Sequence, residues 1–232
     1  MNEIEAIHQR YERRKQLPEN TIYSYFNKGN LFIVQERQRK LLNILRCKKI
    51  DQLKEMKILE VGCGTGGWLR DFIQWGAVPE NLYGIDLLEE RIAIAKRLNP
   101  NVNYSCANAE KMLFREGFFD IVLVATCFTS ILDPGMKKNI AREILRVLKS
   151  GGIVFWYDFR YDNPWNPDVK GIGRKEIESL FDGCGFDFSL VTLLPPVTRR
   201  LASVSLMACE ILAKIPLLKT HYLVAIKKKQ IK

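Results

Sequence analysis

Residues 57–67 read KILEVGCGTGG, a short apolar run broken by glycines at 62, 64, 66 and 67 before an amphipathic stretch opens near Trp68. Such a run suits a strand buried on both faces of a parallel sheet, and the glycines let the main chain turn sharply and meet a ligand that a Cβ would block. The glycines allow two readings. Those at 62, 64 and 67 satisfy the dinucleotide pattern G-x-G-x-x-G, and those at 62, 64 and 66 satisfy G-x-G-x-G. Asp86 closes the next apolar run, where a carboxylate can accept hydrogen bonds from both hydroxyls of a ribose, so a nucleoside is expected either way. Glu60, just before the turn, is unhelpful beside a pyrophosphate but suits a ligand that carries an ammonium group.

Outward from this loop, short apolar runs alternate with amphipathic ones, the pattern of β/α units around a parallel sheet. Strands are expected near 57–61, 82–86, 102–106, 119–125, 152–158, 186–194 and 220–228, and helices near 67–75, 89–98, 136–149 and 174–182. Upstream, helical stretches near 2–15 and 34–49 flank an aromatic segment that ends in Asn27-Lys28-Gly29-Asn30. Two connections are long. The loop 159–173 carries Phe159, Tyr161 and Trp165, and the insertion 195–219 opens with Pro195-Pro196 and is read as one apolar helix before Pro216. The expected organisation is an N-terminal helical lid and substrate segment over 1–56 and a catalytic domain over 57–232.

Composition narrows the function classes. The 232 residues are 47% apolar and 27% charged, which excludes a disordered chain or a rod. No apolar run is long enough for a membrane span, the start is too polar for a signal peptide, and the six cysteines form no C-x-x-C pair or other metal-ligand spacing. A soluble cytoplasmic protein with reduced thiols and no metal is expected. The formal charge of +10 is unevenly spread: +6 over 1–57, −3 over 58–195 and +7 over 196–232. Basic flanks around an acidic middle point to an anionic acceptor at the flanks.

The run Glu60-Val61-Gly62-Cys63-Gly64-Thr65-Gly66, with Asp86, Phe119-Asp120-Ile121-Val122 and Leu148-Lys149-Ser150-Gly151-Gly152, resembles the class I S-adenosylmethionine-dependent methyltransferases. The resemblance covers about 57–228. It implies an α/β, Rossmann-like three-layer sandwich around a seven-stranded, mostly parallel sheet whose last strand is antiparallel. It also implies S-adenosylmethionine as cofactor and S-adenosylhomocysteine as product. By position, Glu60, Gly62, Cys63 and Gly64 would face the methionine part, Asp86 the ribose, and Leu87 the adenine. Ala125 and Thr126 would approach the methionine amino group through main-chain carbonyl. Asn108-Ala109 stands where the family usually has Asp-Ala near the adenine amino group, a departure that the Asn side-chain oxygen can bridge.

Methyl transfer to oxygen favours a base near the acceptor. An antiparallel last strand starts at the ligand edge, which brings His221 there; Asp158 and Tyr161 are the other catalytic candidates. His8 reads as a surface residue. Tyr11, Tyr23 and Tyr25 are candidates to cover the site, and Tyr11, Tyr23, Arg160, Trp165 and Arg199 are expected to contact the acceptor. The acceptor is expected to be a small molecule, with a hydroxyl on a sugar-containing or anionic metabolite methylated. No nucleic-acid partner is expected, and at most a peripheral membrane contact through Leu206, Met207, Ile211, Leu212 and Ile215. Two alternatives stand beside this: a tRNA or rRNA methyltransferase, which the charge would favour but which lacks Asn-Pro-Pro-Tyr after the fourth strand, and an NAD-dependent oxidoreductase.

Overall fold

The four residues of β1 (Ile58–Val61) are all buried, as a strand with apolar neighbours on both sheet faces requires. In the computed structural model, which describes residues 2–15, 23–163 and 166–228, β1 lies at the centre of a seven-stranded sheet. The other strands are β2 (Leu82–Asp86), β3 (Asn103–Cys106), β4 (Phe119–Ala125), β5 (Leu148–Phe159), β6 (Gly185–Leu193) and β7 (Lys219–Lys227). Their order is β3-β2-β1-β4-β5-β7-β6. Strands β1 to β5 pair in parallel, and β7 is antiparallel to both β5 and β6. The order reverses between β1 and β4, which opens the crevice where ligands of such sheets bind.

Helices cover both faces. On one, α2 (Lys28–Cys47) and α3 (Gly67–Gln74) insert Leu41, Ile44, Leu45, Leu69 and Phe72 against Ile58, Leu123 and Phe155. On the other, α5 (Pro134–Val147) contributes Ile140, Ile144 and Val147, and α6 (Arg174–Leu180) contributes Ile177, against Val122, Val154 and Trp156. Ile7 of α1 (Glu3–Lys15) joins this second cluster, while α4 (Glu89–Leu98) flanks β2 and β3. The expected three-layer architecture and antiparallel last strand are therefore present.

Two local expectations change. Helix α2 starts at Lys28 rather than near 34, because the Asn27 side chain accepts a hydrogen bond from the Asn30 amide and caps it. Gly29 thus lies in the first helical turn instead of ending a loop. A Cβ there would sit 2.4 Å from Cα of Arg199, so its role is close approach to α7 (Pro195–Leu201). The insertion is two short helices and a 3₁₀ turn rather than one helix: Ser205 caps α8 (Leu206–Leu212) by accepting from the Ala208 amide, after the chain has turned at 202–204.

Candidate functional site

The glycine turn is shaped for a ligand by its backbone. Gly62, Gly64 and Gly66 all have positive φ, and the amides of Gly62 and Cys63 both donate to the Ile85 carbonyl, tying the loop to the end of β2. A side chain on Gly62 would collide with Sγ of Cys127, 2.7 Å from the place of its Cβ. Asp86 completes the tie: its carboxylate accepts from the Gly64 amide at 2.8 Å and from the Leu88 amide at 2.9 Å. Each oxygen keeps lone-pair capacity for further donors. Cys63 is buried, and burial pushes its thiol pKa up, so it packs the loop as a neutral group.

A cavity opens beside this turn at the ends of β1, β2 and β4. Gly62, Asp86, Leu87, Ala109, Ala125 and Thr126 line it, joined by Ala107, Cys127, Met136 and Ile140. The apolar part, built from Leu87, the two alanines, Met136 and Ile140, suits the faces of a purine. Asn108 is beside the cavity; its Oδ1 accepts from the Glu110 amide at 2.9 Å, so it shapes the turn that carries Ala107 and Ala109. Ile7 and Tyr11 of α1 form the roof. Arg10 donates to the Ser130 carbonyl, Glu3 accepts from the Leu132 amide, and Arg13 pairs with Asp168, which together hold α1 across the opening.

Glu60 points to the opposite face from Val61, near Arg37 and Asp71. Its carboxyl pKa is raised well above the ordinary value, chiefly by burial, against the pull of the Arg37 guanidinium. Oε2 of Glu60 and Oδ2 of Asp71 have no hydrogen-bond partner among the described residues. Arg37 lies 3.9 Å from Asp71 Oδ2, with its guanidinium 4.1 Å from the Trp68 ring centre. One half-buried cation thus faces two buried carboxylates, and the spare acceptor on Glu60 fits an ammonium such as that of a methionine group. Together with Asp86 and the apolar slot, these residues fit S-adenosylmethionine.

A second polar assembly crosses the ends of β5, β7 and β6. Tyr157 OH and Thr192 Oγ1 are 2.7 Å apart. Thr220 Oγ1 must donate to the Thr192 carbonyl, which can only accept, so it receives the hydrogen of His221 Nδ1 at 2.9 Å. That assigns the tautomer: Nδ1 carries the proton and Nε2 the lone pair. The imidazole stacks on Tyr157 with centroids 4.7 Å apart and is buried. Among the described residues, the non-glycine positions with positive φ are Lys49, Thr126 and Thr192. Both threonines bond to Tyr157, since the Thr126 amide donates to its carbonyl at 2.8 Å. Strained backbone of this kind persists where surrounding structure holds it, characteristically at functional sites.

The structure separates the three catalytic candidates. His221 belongs to the Tyr157 assembly. Asp158 faces the other side of the sheet, where Thr129 Oγ1 and the amides of Thr129 and Phe159 donate to it; it fastens the turn after β4. Burial lifts its carboxyl to about 6 despite those bonds. Tyr161 is exposed, against the Arg160 guanidinium, which also lies 5.6 Å from the Tyr222 ring. Of the acceptor candidates, Tyr11 enters the cavity. Tyr23 and Tyr25 are exposed, and Arg199 lies in α7 with its guanidinium 5.6 Å from the Tyr23 ring, away from the cavity. Trp165 lies outside the described residues. Sequence reasoning missed Arg37, Tyr157 and Thr192; the one signal that bore on them was the placement of His221 at the sheet edge.

Burial, then the Arg37 charge, pushes the His221 imidazole down to about 3 from an ordinary value near 6.5. The unfolded chain binds this proton below 6.5 while the folded chain does not, so the contribution of His221 is full above that pH and is lost as pH falls. Going from pH 7 to 5 is expected to cost the native protein about 2 kcal/mol more than it costs a His221→Phe variant, as read by denaturant unfolding at the two pH values. Asp158 acts with the opposite sign below pH 6 but is common to both proteins. Equal pH slopes would show that the ring titrates freely.

Residues 58–152 match the family described as a methyltransferase domain. A demethylmenaquinone methyltransferase of Lactococcus lactis is 30% identical over 148 residues, 62% of this chain and 57% of its own length. The sterol 4-C-methyltransferase strm-1 of Caenorhabditis elegans is 28% identical over 180 residues, 72% of this chain and 52% of its own length. The chain thus spans about half the length of these curated relatives. A solved SAM-dependent methyltransferase of Methanosarcina mazei is 19% identical, covers 80% of this chain and 98% of its own, and superposes with a TM-score of 0.59, a likeness of fold.

Proposed function

We infer that this chain, which belongs to the class I S-adenosylmethionine-dependent methyltransferases, transfers the cofactor's methyl group to a hydroxyl of a small-molecule acceptor. The observation that carries the hydroxyl is the hydrogen-bond chain at His221, in which Nδ1 meets Thr220 Oγ1 and Thr220 Oγ1 donates to the Thr192 carbonyl, an arrangement that leaves the lone pair on Nε2. S-adenosylmethionine, when bound, supplies a methyl already activated by a sulfonium. What remains for the protein is to hold the acceptor in line, exclude water and take up a proton. Tyr157 and Thr192 offer hydrogen bonds that orient the acceptor hydroxyl. His221 Nε2 accepts its proton: burial, then the Arg37 charge, keeps the free imidazole unprotonated and its lone pair available, and the same Arg37 charge favours the oxyanion left behind. The relatives named for demethylmenaquinone and sterol substrates support a small-molecule acceptor. The expected anionic character of the acceptor would rest on the half-buried Arg37, and that cation already faces Glu60 and Asp71. The reading is therefore a hydroxyl that becomes negative during reaction rather than a standing anion.

The test begins with calorimetric titration of S-adenosylhomocysteine and NAD, followed by an acceptor screen with hydroxyl and amine compounds. Binding of S-adenosylhomocysteine, and a loss of about a hundredfold in kcat on His221→Gln with product affinity unchanged, are expected. Binding of NAD alone, or an unchanged kcat in the variant, would overturn the reading.

A further inference from the structure

The insertion between β6 and β7 has an inner face that is fully used. Phe32 of α2 packs with Leu193, Ala202, Cys209 and Ala213 in a small core of their own. The outer face is apolar and uncovered: Val204 is 85% exposed, Leu217 78% and Met207 74%, with Ile211 and Leu206 also exposed. Phe26, 99% exposed, stands in the segment that leads into α2, three residues before Gly29. The two pieces meet at Arg199, whose backbone abuts Gly29 and whose guanidinium faces the Tyr23 ring. Large apolar side chains left this bare, gathered on two adjoining segments, need an apolar partner.

We propose that this surface docks on an anionic phospholipid bilayer, with the outer side chains of α8 and the turns around it entering the headgroup boundary. Charge selects the occupant. Residues 23–30 and 194–218 carry Lys28, Arg199, Arg200 and Lys214 against a single carboxylate, Glu210, and Glu210 is already paired with Arg39; Lys219 is paired with Glu36. Cations around an apolar face are the composition of an interfacial segment. A second copy is disfavoured by the same charges, since a two-fold contact would set one basic patch against another. No helix among the described residues is long and apolar enough to cross a membrane, so the contact is peripheral.

Position gives the contact a use. The insertion leaves β6 one residue after Thr192 and rejoins β7 two residues before His221, so the segment that carries the docking face is anchored at both ends on strands of the Tyr157–Thr192–His221 assembly. An acceptor dissolved in the bilayer would reach that assembly without crossing water. The docking does not depend on the reading of the reaction, and its test reads lipid binding rather than turnover.

The full chain is mixed with vesicles of phosphatidylcholine, with or without phosphatidylglycerol, and floated through a sucrose gradient at low and high salt. Flotation is expected with the anionic vesicles, weakened by salt, and reduced at least about tenfold in a Met207→Glu/Ile211→Glu variant that keeps its thermal transition and its S-adenosylhomocysteine binding. Arg200→Glu/Lys214→Glu is expected to lose the preference for anionic vesicles. The proposal is overturned if the native chain stays at the bottom of every gradient, if the apolar variant floats as well as the native chain, or if light scattering finds a dimer that the apolar variant converts to monomer without any vesicle binding. Should the apolar variant fail to fold, the native chain's response to lipid charge and salt decides alone.

Discussion

Asp86→Ala is expected to weaken S-adenosylhomocysteine binding by several hundredfold. Two charge-assisted hydrogen bonds from a ribose to one carboxylate contribute about 3–4 kcal/mol together, which is two to three powers of ten in Kd. The variant also loses the acceptor of the Gly64 and Leu88 amides, so the glycine turn is released from the end of β2 at the same time. Asp86→Asn, which keeps one acceptor oxygen but no charge, should fall between the two. Calorimetric titration with the thermal transition monitored in parallel separates binding from folding. Undiminished affinity in Asp86→Ala would remove Asp86 from the cofactor site and with it the ribose end of the assignment.

Glu60→Gln should cost about ten- to a hundredfold in affinity, the worth of one charge-assisted hydrogen bond, and should also change how binding depends on pH. Burial, with Asp86 and Asp71 nearby, keeps the free carboxyl protonated to higher pH than an ordinary glutamate. A bound ammonium stabilises the ionised form, so binding expels a proton. The sign follows: affinity rises with pH until the free carboxyl ionises by itself, and falls as the solution is acidified. Titrations in two buffers of different ionisation enthalpy count the protons released. The native chain should release a fraction of a proton more than Glu60→Gln; the same count in both would mean that the ammonium lies elsewhere.

If the proposed bilayer contact holds, the +7 of residues 196–232 acquires a different meaning from the one composition suggested. Taken as a count, the basic flank points to an anionic acceptor. In the structure, Arg199 and Arg200 belong to a helix whose neighbours are exposed apolar side chains, and Arg199 itself lies beside Tyr23 rather than in the cavity.

What the sequence determined by itself is what short-range order encodes. The turn at 62–66, the carboxylate closing β2 and the β/α alternation are properties of neighbouring residues, so their spacing carries the parallel sheet and the cofactor crevice, whereas the antiparallel last strand is implied by the family resemblance alone. The second polar assembly has no such spacing. Tyr157, Thr192 and His221 come from three strands, and they meet because β7 is antiparallel to both β5 and β6 and because β6 takes a positive φ at Thr192. Arg37 enters from a helix on the far side of the glycine turn in the chain. Gly29 shows the same limit at one residue: locally it reads as a loop glycine, and only the backbone of Arg199 against it explains why it carries no side chain. Hydrogen bonds and packing between distant segments depend on register and crossing geometry, which the completed sheet decides.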